Sequence, residues 1–204
     1  DGRKSSFVAT GKLDIFDSDT GESKFQLDVT PGGANFGQLT IDAEGNYSYK
    51  ALAAQFRSLG LDETRVETFT VKSKDGTQSQ EIDITIHGTN EAPVVTANPV
   101  MSVLATDTTK AFNLLETASD VDVNDVLSVT GMTFKVGSGS TTSSIPNGLV
   151  MDADGKTLKV DPSKFTVAAG ATVSILVSYD VSDGHTTTHQ TEVINIVSTK
   201  LGSV

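Results

Sequence analysis

The sequence predicts an all-β chain of two β-sandwich domains in series. Segments that alternate apolar and polar residues dominate the chain, Gly, Asp and Asn punctuate them, and one set of landmarks occurs twice. Alternation with period two is typical of half-buried strands, and short, regular spacing without helical crossovers favours sandwiches. The length of 204 residues suits two domains of about 100 residues each.

Six candidate strands fill the first half of the chain: 11–16, 24–29, 37–42, 47–50, 67–73 and 81–87. The tetrapeptide 43–46 is predicted to be a hairpin turn, because Gly45 can adopt a positive φ beside polar neighbours. A single helix is predicted over residues 51–59, with Gly60 as its end.

An acidic frame is repeated in the second half. The two copies are Asp17-Ser18-Asp19 with Asp75-Gly76, and Asp120-Val121-Asp122 with Asp183-Gly184. The hairpin at 39–45 has a counterpart at 149–155, and the strands 69–75 and 81–87 have counterparts at 174–183 and 190–197. Repetition of a whole frame indicates two similar domains.

The spacing of the repeat locates an insertion and a boundary. The offset between copies is 103 residues at the Asp-x-Asp motif and 110 at the hairpin, so seven extra residues are expected in the Gly/Ser/Thr-rich segment 137–145. The joint lies at 88–93, where Pro93 interrupts a strand ladder. We therefore predict domains 1–90 and 91–204.

Charge and composition exclude several classes. The formal net charge of −11 argues against binding to nucleic acid or anionic lipid. The chain contains no cysteine and no apolar run long enough to cross a bilayer. It begins without a charged-then-apolar leader, so no cleaved signal is expected.

Residues 11–22 (GKLDIFDSDTGE), 37–49, 69–76 and the exit 88–93 (GTNEAP) resemble, in order, the landmarks of VCBS repeats. The segments 118–125 and 181–184 are similar to bacterial cadherin-like domains. The pair also resembles the family of rhizobium-adhering proteins. This resemblance implies cadherin-like (immunoglobulin-like) sandwiches in a secreted or cell-surface monomer that binds calcium, is exported without a cleaved signal, and recognises bacterial exopolysaccharide or capsular polysaccharide in a biofilm matrix.

The duplicated carboxylates favour the same ion. Calcium takes six to eight oxygen ligands, and a dication reverses the repulsion between neighbouring carboxylates. The predicted ligands are Asp17, Asp19 and Asp75 with Asn90 or Glu91, then Asp120, Asp122 and Asp183 with Asp125 or Asp180; Glu22 and Glu63 are further candidates for the first site. Taken alone, Asp-Gly is an ordinary turn and scattered Asp residues solvate a surface.

Other chemistry finds less support. Magnesium prefers fewer carboxylates, and zinc requires His or Cys. His185 and His189 could share a strand face, but an exposed pair without a third ligand is the better interpretation. A glycosidase would use paired carboxylates, yet the chain has no Trp and three Tyr, so we predict no enzyme.

The sequence leaves two functions open. The first is a calcium-dependent, lectin-like adhesin, with the polar loops 137–147 and 185–189 as candidate sugar contacts. The second is a calcium-stiffened spacer of a larger adhesin, without glycan binding of its own. The acidic frame would serve either.

Overall fold

The computed structural model describes residues 6–198, and its regular structure is almost entirely β. Two short 3₁₀ turns, Ala53–Phe56 and Pro162–Lys164, are the helical elements of this part of the chain. None of the described residues form a helix with the length and hydrophobicity of a membrane span. The chain divides into two compact units, Asp1–Asn90 and Glu91–Val204. The predicted fold class, all-β with two sandwich domains in tandem, is confirmed.

Unit 1 is a sandwich of two antiparallel three-stranded sheets. Its strands are β1 (Ser6–Lys12), β2 (Thr30–Pro31), β3 (Gln38–Ile41), β4 (Asn46–Leu52), β5 (Thr64–Lys72) and β6 (Ser79–His87). One sheet has the order β1-β4-β3 and the other β2-β5-β6. The rings of Tyr49 in β4 and Phe69 in β5 meet edge-on with centroids 5.9 Å apart, so the core lies between the two sheets.

The described part of unit 2, residues 91–198, contains nine strands. These are β7 (Val94–Val95), β8 (Val100–Leu104), β9 (Lys110–Asn113), β10 (Ala118–Ser119), β11 (Ser128–Val136), β12 (Leu149–Met151), β13 (Thr157–Val160), β14 (Thr172–Ser182) and β15 (Thr187–Val197). The sheets have the orders β11-β14-β15-β8, β12-β13-β9 and β10-β7. Only the β8–β15 pair among them is parallel. Leu158 of β13 and Val177 of β14 are fully buried in one core.

The two predicted hairpin turns are present. Residues 42–45 connect β3 to β4, and residues 152–156 connect β12 to β13. Gly45 has a φ of 86° and Gly155 a φ of 69°, which is the left-handed region that favours glycine. The predicted insertion falls between β11 and β12, where Thr142 forms an isolated bridge back to Phe134.

The predicted helix over 51–59 is wrong. Strand β4 continues to Leu52, and only the short turn Ala53–Phe56 follows. Tyr49 and Ala51 are both buried whereas Lys50 and Leu52 are exposed. This burial has period two, so core packing overrides the local helix signal.

Two of the predicted strands also differ. β1 begins earlier than the predicted 11–16 and ends at Lys12, and Phe16 beyond it is 91% exposed. Residues 24–29 form no ladder beyond a bridge from Phe25 to Ser73. The N–H of Phe25 donates to Ala43 beside one sheet, and the N–H of Gln26 donates to Lys72 in the other. This segment therefore crosses between the sheets and extends neither.

Candidate metal centre

The two Asp-x-Asp loops have the same local geometry. The N–H of Asp19 donates to Oδ1 of Asp17, and the N–H of Asp122 donates to Oδ1 of Asp120, each at 2.9 Å. An aspartate that accepts from the amide two residues later forms an Asx turn, which bends the chain without a regular ladder. In both copies this turn directs neighbouring carboxylates into one loop.

The two Asp-Gly turns also correspond. Asp75 accepts from the N–H and hydroxyl of Thr77, and Asp183 accepts from the N–H of His185 and from the N–H and hydroxyl of Thr186. Gly76 and the glycine after Asp183 have φ values of 77° and 99°. The duplicated frame therefore repeats the hydrogen-bonding geometry as well as the residue types.

In unit 2 the frame closes into one buried acidic group. Asp120, Asp122 and Asp125 place one carboxylate oxygen each within 4.8 Å of one another. Asp122 is 2% exposed, and Asp183 is 6% exposed. The N–H of Glu91, itself a buried residue, donates to Oδ2 of Asp122 at 2.8 Å. We call Glu91, Asp120, Asp122, Asp125 and Asp183 the second acidic group.

The position of Glu91 follows from strand register. Ser119 of β10 pairs with Val94 of β7. The same antiparallel register, continued by three residues, places Asp122 opposite Glu91. Glu91 belongs to unit 2 and its N–H bonds with Asp122; its role as a ligand of the first site stays a prediction. Nothing in the sequence between Glu91 and Asp122 indicates that these two residues pair.

Asp125 is subject to repulsion from its acidic neighbours. Burial raises the pKa of this carboxyl, and the nearby carboxylates of Asp122, Asp120 and Asp183 raise it further, while His185 opposes them. The Oδ2 atoms of Asp120 and Asp125 are buried and accept no hydrogen bond from any residue between 6 and 198. Buried carboxylate oxygens without a donor are costly, and a cation is the partner they suit.

The donor set fits calcium. Every side chain in the second acidic group offers carboxylate oxygen, which hard divalent cations prefer, and it offers neither thiolate nor imidazole in the ligand cluster. Five acidic residues also match the charge of a dication better than a monovalent ion. Asp120, Asp122 and Asp125 are the residues that would hold the ion, with Glu91 and Asp183 beside them.

In unit 1 the corresponding group is more open. It comprises Asp17, Asp19 and Glu22, whose carboxylate oxygens also lie within 4.8 Å of one another, but Asp19 is exposed and the other two are half-buried. Asp75 is not a member. The Ser73 hydroxyl, the Thr77 hydroxyl and the Thr77 N–H donate to it and lower its pKa to about 2. We call Asp17, Asp19 and Glu22 the first acidic group.

The remaining candidates lie elsewhere. Glu63 accepts from the N–H of Gly60, and Asp180 is 2.9 Å from Nδ1 of His189. His185 lies in the turn before β15, so the two histidines do not share a strand. Asn90 is the last residue of unit 1, and its Oδ1 is buried; its role as a ligand stays a prediction.

Comparison with known proteins gives structural neighbours only. No family model and no curated protein matches the chain, so the resemblance to VCBS repeats and rhizobium-adhering proteins stays a prediction. Solved structures with similar coordinates include the mouse clustered protocadherin PcdhgC3 EC1-3, at 15% identity and a TM-score of 0.47 over 84% of this chain. The human desmocollin-1 ectodomain gives 14% identity and a TM-score of 0.45 over 91% of this chain.

A third neighbour is the endo-fucoidan hydrolase MfFcnA4 from glycoside hydrolase family 107, at 18% identity and a TM-score of 0.35 over 95% of this chain. The chain spans 26% of that hydrolase, 54% of the protocadherin and 35% of the desmocollin. Likenesses of this strength carry no argument about this chain, and the sandwich architecture is taken from its own strand pairings.

Proposed function

We propose that this chain is a calcium-binding adhesion protein that binds acidic polysaccharide outside the cell in a calcium-dependent way. The observation that carries the proposal is the second acidic group. Five acidic residues converge there, and two buried carboxylate oxygens lack a hydrogen-bond donor among residues 6–198. An arrangement that repels itself in the absence of a cation is organised by one, so calcium binding couples to folding.

Calcium also reduces the electrostatic repulsion between this acidic chain and the proposed acidic ligand. A chain with a net charge of −11 repels an acidic polysaccharide at long range. Bound calcium lowers this negative charge, and it orders the loops that carry Asp120–Asp125 and Asp183. Extracellular calcium modules commonly have dissociation constants of about 10⁻⁴–10⁻³ M, which suits a protein that works in a calcium-rich medium.

The proposal assigns no catalytic role to the acidic groups. The polysaccharide is that of a bacterial surface or biofilm matrix, and the protein acts as a secreted or surface-attached monomer. These parts rest on the resemblance described above. A binding protein and a hydrolase are separated by incubating the chain with the polysaccharide and following reducing ends, which are expected to stay constant.

The direct test is polysaccharide binding with and without calcium. Immobilised chain is exposed to a carboxylated polysaccharide in 1 mM calcium and then in a chelator. The proposal predicts binding in calcium and its loss in the chelator, with recovery when calcium is restored. Equal binding in both conditions would contradict the calcium requirement.

The alternative function is a calcium-stiffened spacer. The tandem sandwiches and their acidic groups are also suited to holding a distal binding head away from a surface. This function predicts the same gain in melting temperature with calcium, but no binding to any polysaccharide. Binding by the isolated chain therefore separates the two.

A further inference from the structure

One face of unit 1 differs in chemistry from the rest of this acidic chain. In the sheet β1-β4-β3, the side chains of Leu39, Ile41 and Tyr49 point into the core and are buried. Alternation then directs their neighbours outward. The outward residues form three rows across the sheet: Val8, Lys50 and Gln38; Thr10, Ser48 and Thr40; and Lys12 with Asn46. We call these eight residues the outer face.

The outer face carries two shallow, open depressions. An open depression of about 640 Å³ is lined by residues from all three strands, Thr10 and Lys12 of β1, Thr40 of β3, and Asn46 and Ser48 of β4 among them. A second depression, of about 330 Å³, is lined by Gln38 and Lys50 and by Leu52 and Phe36. Gln38 and Lys50 are register partners one row beyond Thr40 and Ser48, so the two depressions follow one another along β4.

The length of this path suits a linear polymer. From Asn46 to Leu52 the strand β4 has six residue steps, which span about 20 Å at the rise of an antiparallel strand. At one end of the path stands Lys12, the register partner of Asn46. At the other end Phe36 is 43% exposed and is held by the edge of Phe56, with ring centroids 5.4 Å apart.

The eight side chains of the outer face include two positive charges and no negative one. Lys12 and Lys50 are the charged residues among the eight, and both are exposed. Lys12 also lies 3.8 Å from the carboxylate of Asp14, in a pair that is exposed to solvent and therefore weak. Asp42 also lines the larger depression. Its Oδ1 accepts from the N–H groups of Glu44 and Asn46, and its Oδ2 accepts from the Asn46 amide, so its oxygens point toward the hairpin turn although the carboxylate stays ionised. The hydroxyls and amides between the lysines offer hydrogen bonds of the kind that sugar hydroxyls form.

We propose that the outer face binds a linear carboxylated polysaccharide laid along β4. Lys12 and Lys50 contact carboxylates, Thr10, Thr40 and Ser48 contact sugar hydroxyls between them, and Phe36 and Leu52 supply apolar surface at one end. The inference rests on the proposed function, and it adds to it the site of the polysaccharide. It also places the contacts on a sheet of unit 1 and not on the loops 137–147 and 185–189 of unit 2 that the sequence suggested.

The test removes the two cationic groups and nothing else. K12Q/K50Q is compared with K72Q/K110Q, which also removes two positive charges from exposed strand lysines, one on β5 and one on β9. Both variants have the same net charge, so long-range repulsion is matched. The probe is polygalacturonate, with its fully methyl-esterified form as the uncharged polymer of the same sugar, and binding is measured by calorimetry at low salt in 1 mM calcium.

We expect K12Q/K50Q to bind polygalacturonate about fivefold more weakly than K72Q/K110Q, since each exposed charge pair contributes modestly. Thr40→Glu, which places a carboxylate in the middle row, is expected to weaken it further. Binding of the methyl ester is expected to be weak and equal in all variants. Circular dichroism of each variant establishes that the sheet is intact.

The outcomes separate the site from the function. If K12Q/K50Q and K72Q/K110Q bind polygalacturonate equally, the outer face is not the polysaccharide site, while the proposed function stands. If the unaltered chain binds polygalacturonate in neither calcium nor chelator, both fall. If binding depends on Lys12 and Lys50 but not on calcium, the outer face is supported as the polysaccharide site and the calcium requirement is wrong. If sedimentation shows a dimer that only K12Q/K50Q dissociates, the face is a contact between copies and the proposal is wrong.

Discussion

The backbone N–H of Glu91 donates a 2.8 Å hydrogen bond to Oδ2 of Asp122, which ties the first residue of unit 2 to its acidic loop. The bond is formed by the continued register of β7 and β10. Glu91 is itself buried, and its bonding partner Asp122 groups with the carboxylates of Asp120 and Asp125. Without a cation, this arrangement brings acidic groups together at a cost in folding free energy.

Replacing the Asp-x-Asp motif of the second acidic group should therefore reduce the calcium response. At a calcium concentration ten times the dissociation constant, one site stabilises its unit by about 1.4 kcal/mol, which raises the melting temperature of a 100-residue domain by about 5–10 °C. We expect Asp120→Asn/Asp122→Asn to remove most of that rise in unit 2. Thermal melting with and without calcium measures it.

The matched control is Asp17→Asn/Asp19→Asn in the first acidic group. These residues make the same Asx turn but are more exposed, so we expect a smaller loss. An equal calcium response in the unaltered chain and in both variants would show that neither motif binds the ion.

Two buried glutamates predict opposite effects of pH on stability. Glu192 is 2% exposed, and burial raises its pKa, with Glu116 adding to the rise and the Tyr179 hydroxyl opposing it. That hydroxyl also lies 2.6 Å from the carbonyl oxygen of Leu114, so a protonated Glu192 can donate to it. The stabilising contribution of a raised carboxyl pKa is complete below the unfolded pKa and is lost as pH rises through the folded pKa.

Glu192→Gln should consequently be close to the unaltered chain in stability at pH 4 and more stable at pH 8. Denaturant unfolding in a chelator at the two pH values gives the difference in the free energy of unfolding. A variant that is less stable than the unaltered chain by the same amount at both pH values would show that Glu192 does not titrate on folding.

Glu67 in unit 1 provides the opposite sign. Burial raises its pKa, but hydrogen bonds from the N–H groups of Phe36 and Gly37, from Tyr49 and from Arg65 outweigh burial and lower it. Its contribution is present above the unfolded pKa and is lost as pH falls through the folded pKa.

Glu67→Gln is therefore expected to cost about 1–3 kcal/mol at pH 7 and less at pH 3. The same denaturant experiment at the two pH values measures it, with Glu192→Gln beside it as the variant of opposite sign. A Glu67→Gln variant as stable as the unaltered chain at pH 7 would contradict the account of its hydrogen bonds.

Two equivalent hairpin glycines should differ in their tolerance of a side chain. Both have positive φ, so alanine at either position costs about 1 kcal/mol or slightly more. A Cβ on Gly45 would also collide with the carbonyl oxygen of Leu13, whereas a Cβ on Gly155 meets no atom of residues 6–198 within 4 Å.

We accordingly expect Gly45→Ala to cost about 2–4 kcal/mol and Gly155→Ala about 1 kcal/mol. Chemical denaturation of the two variants compares them directly. Equal costs would mean that the backbone near Leu13 moves to accept the methyl group.

Much of this molecule could be predicted from local pattern. Alternation located β3, β4, β5 and β6 within a few residues, and the duplicated letters at 17–19 and 120–122 predicted the same Asx turn twice. The predictions that failed concern features that depend on long-range packing. Residues 24–29 read as a strand, but their hydrogen bonds go to two different sheets, and the proximity of Glu91 to Asp122 arises from a register that only pairing of distant strands creates.

The claim that the second acidic group binds calcium is tested most directly by calorimetric titration of Asp183→Asn against Asp154→Asn. Both aspartates accept from the N–H groups two and three residues later and from the hydroxyl of a threonine, so both variants perturb the same kind of turn. Of the two, only Asp183 belongs to the second acidic group, where its charge acts on Asp125. We expect Asp183→Asn to weaken calcium binding about tenfold, a loss of about 1.4 kcal/mol, and Asp154→Asn to bind as the unaltered chain does. Equal affinities in the two variants, or no calcium binding by the unaltered chain, would contradict the assignment.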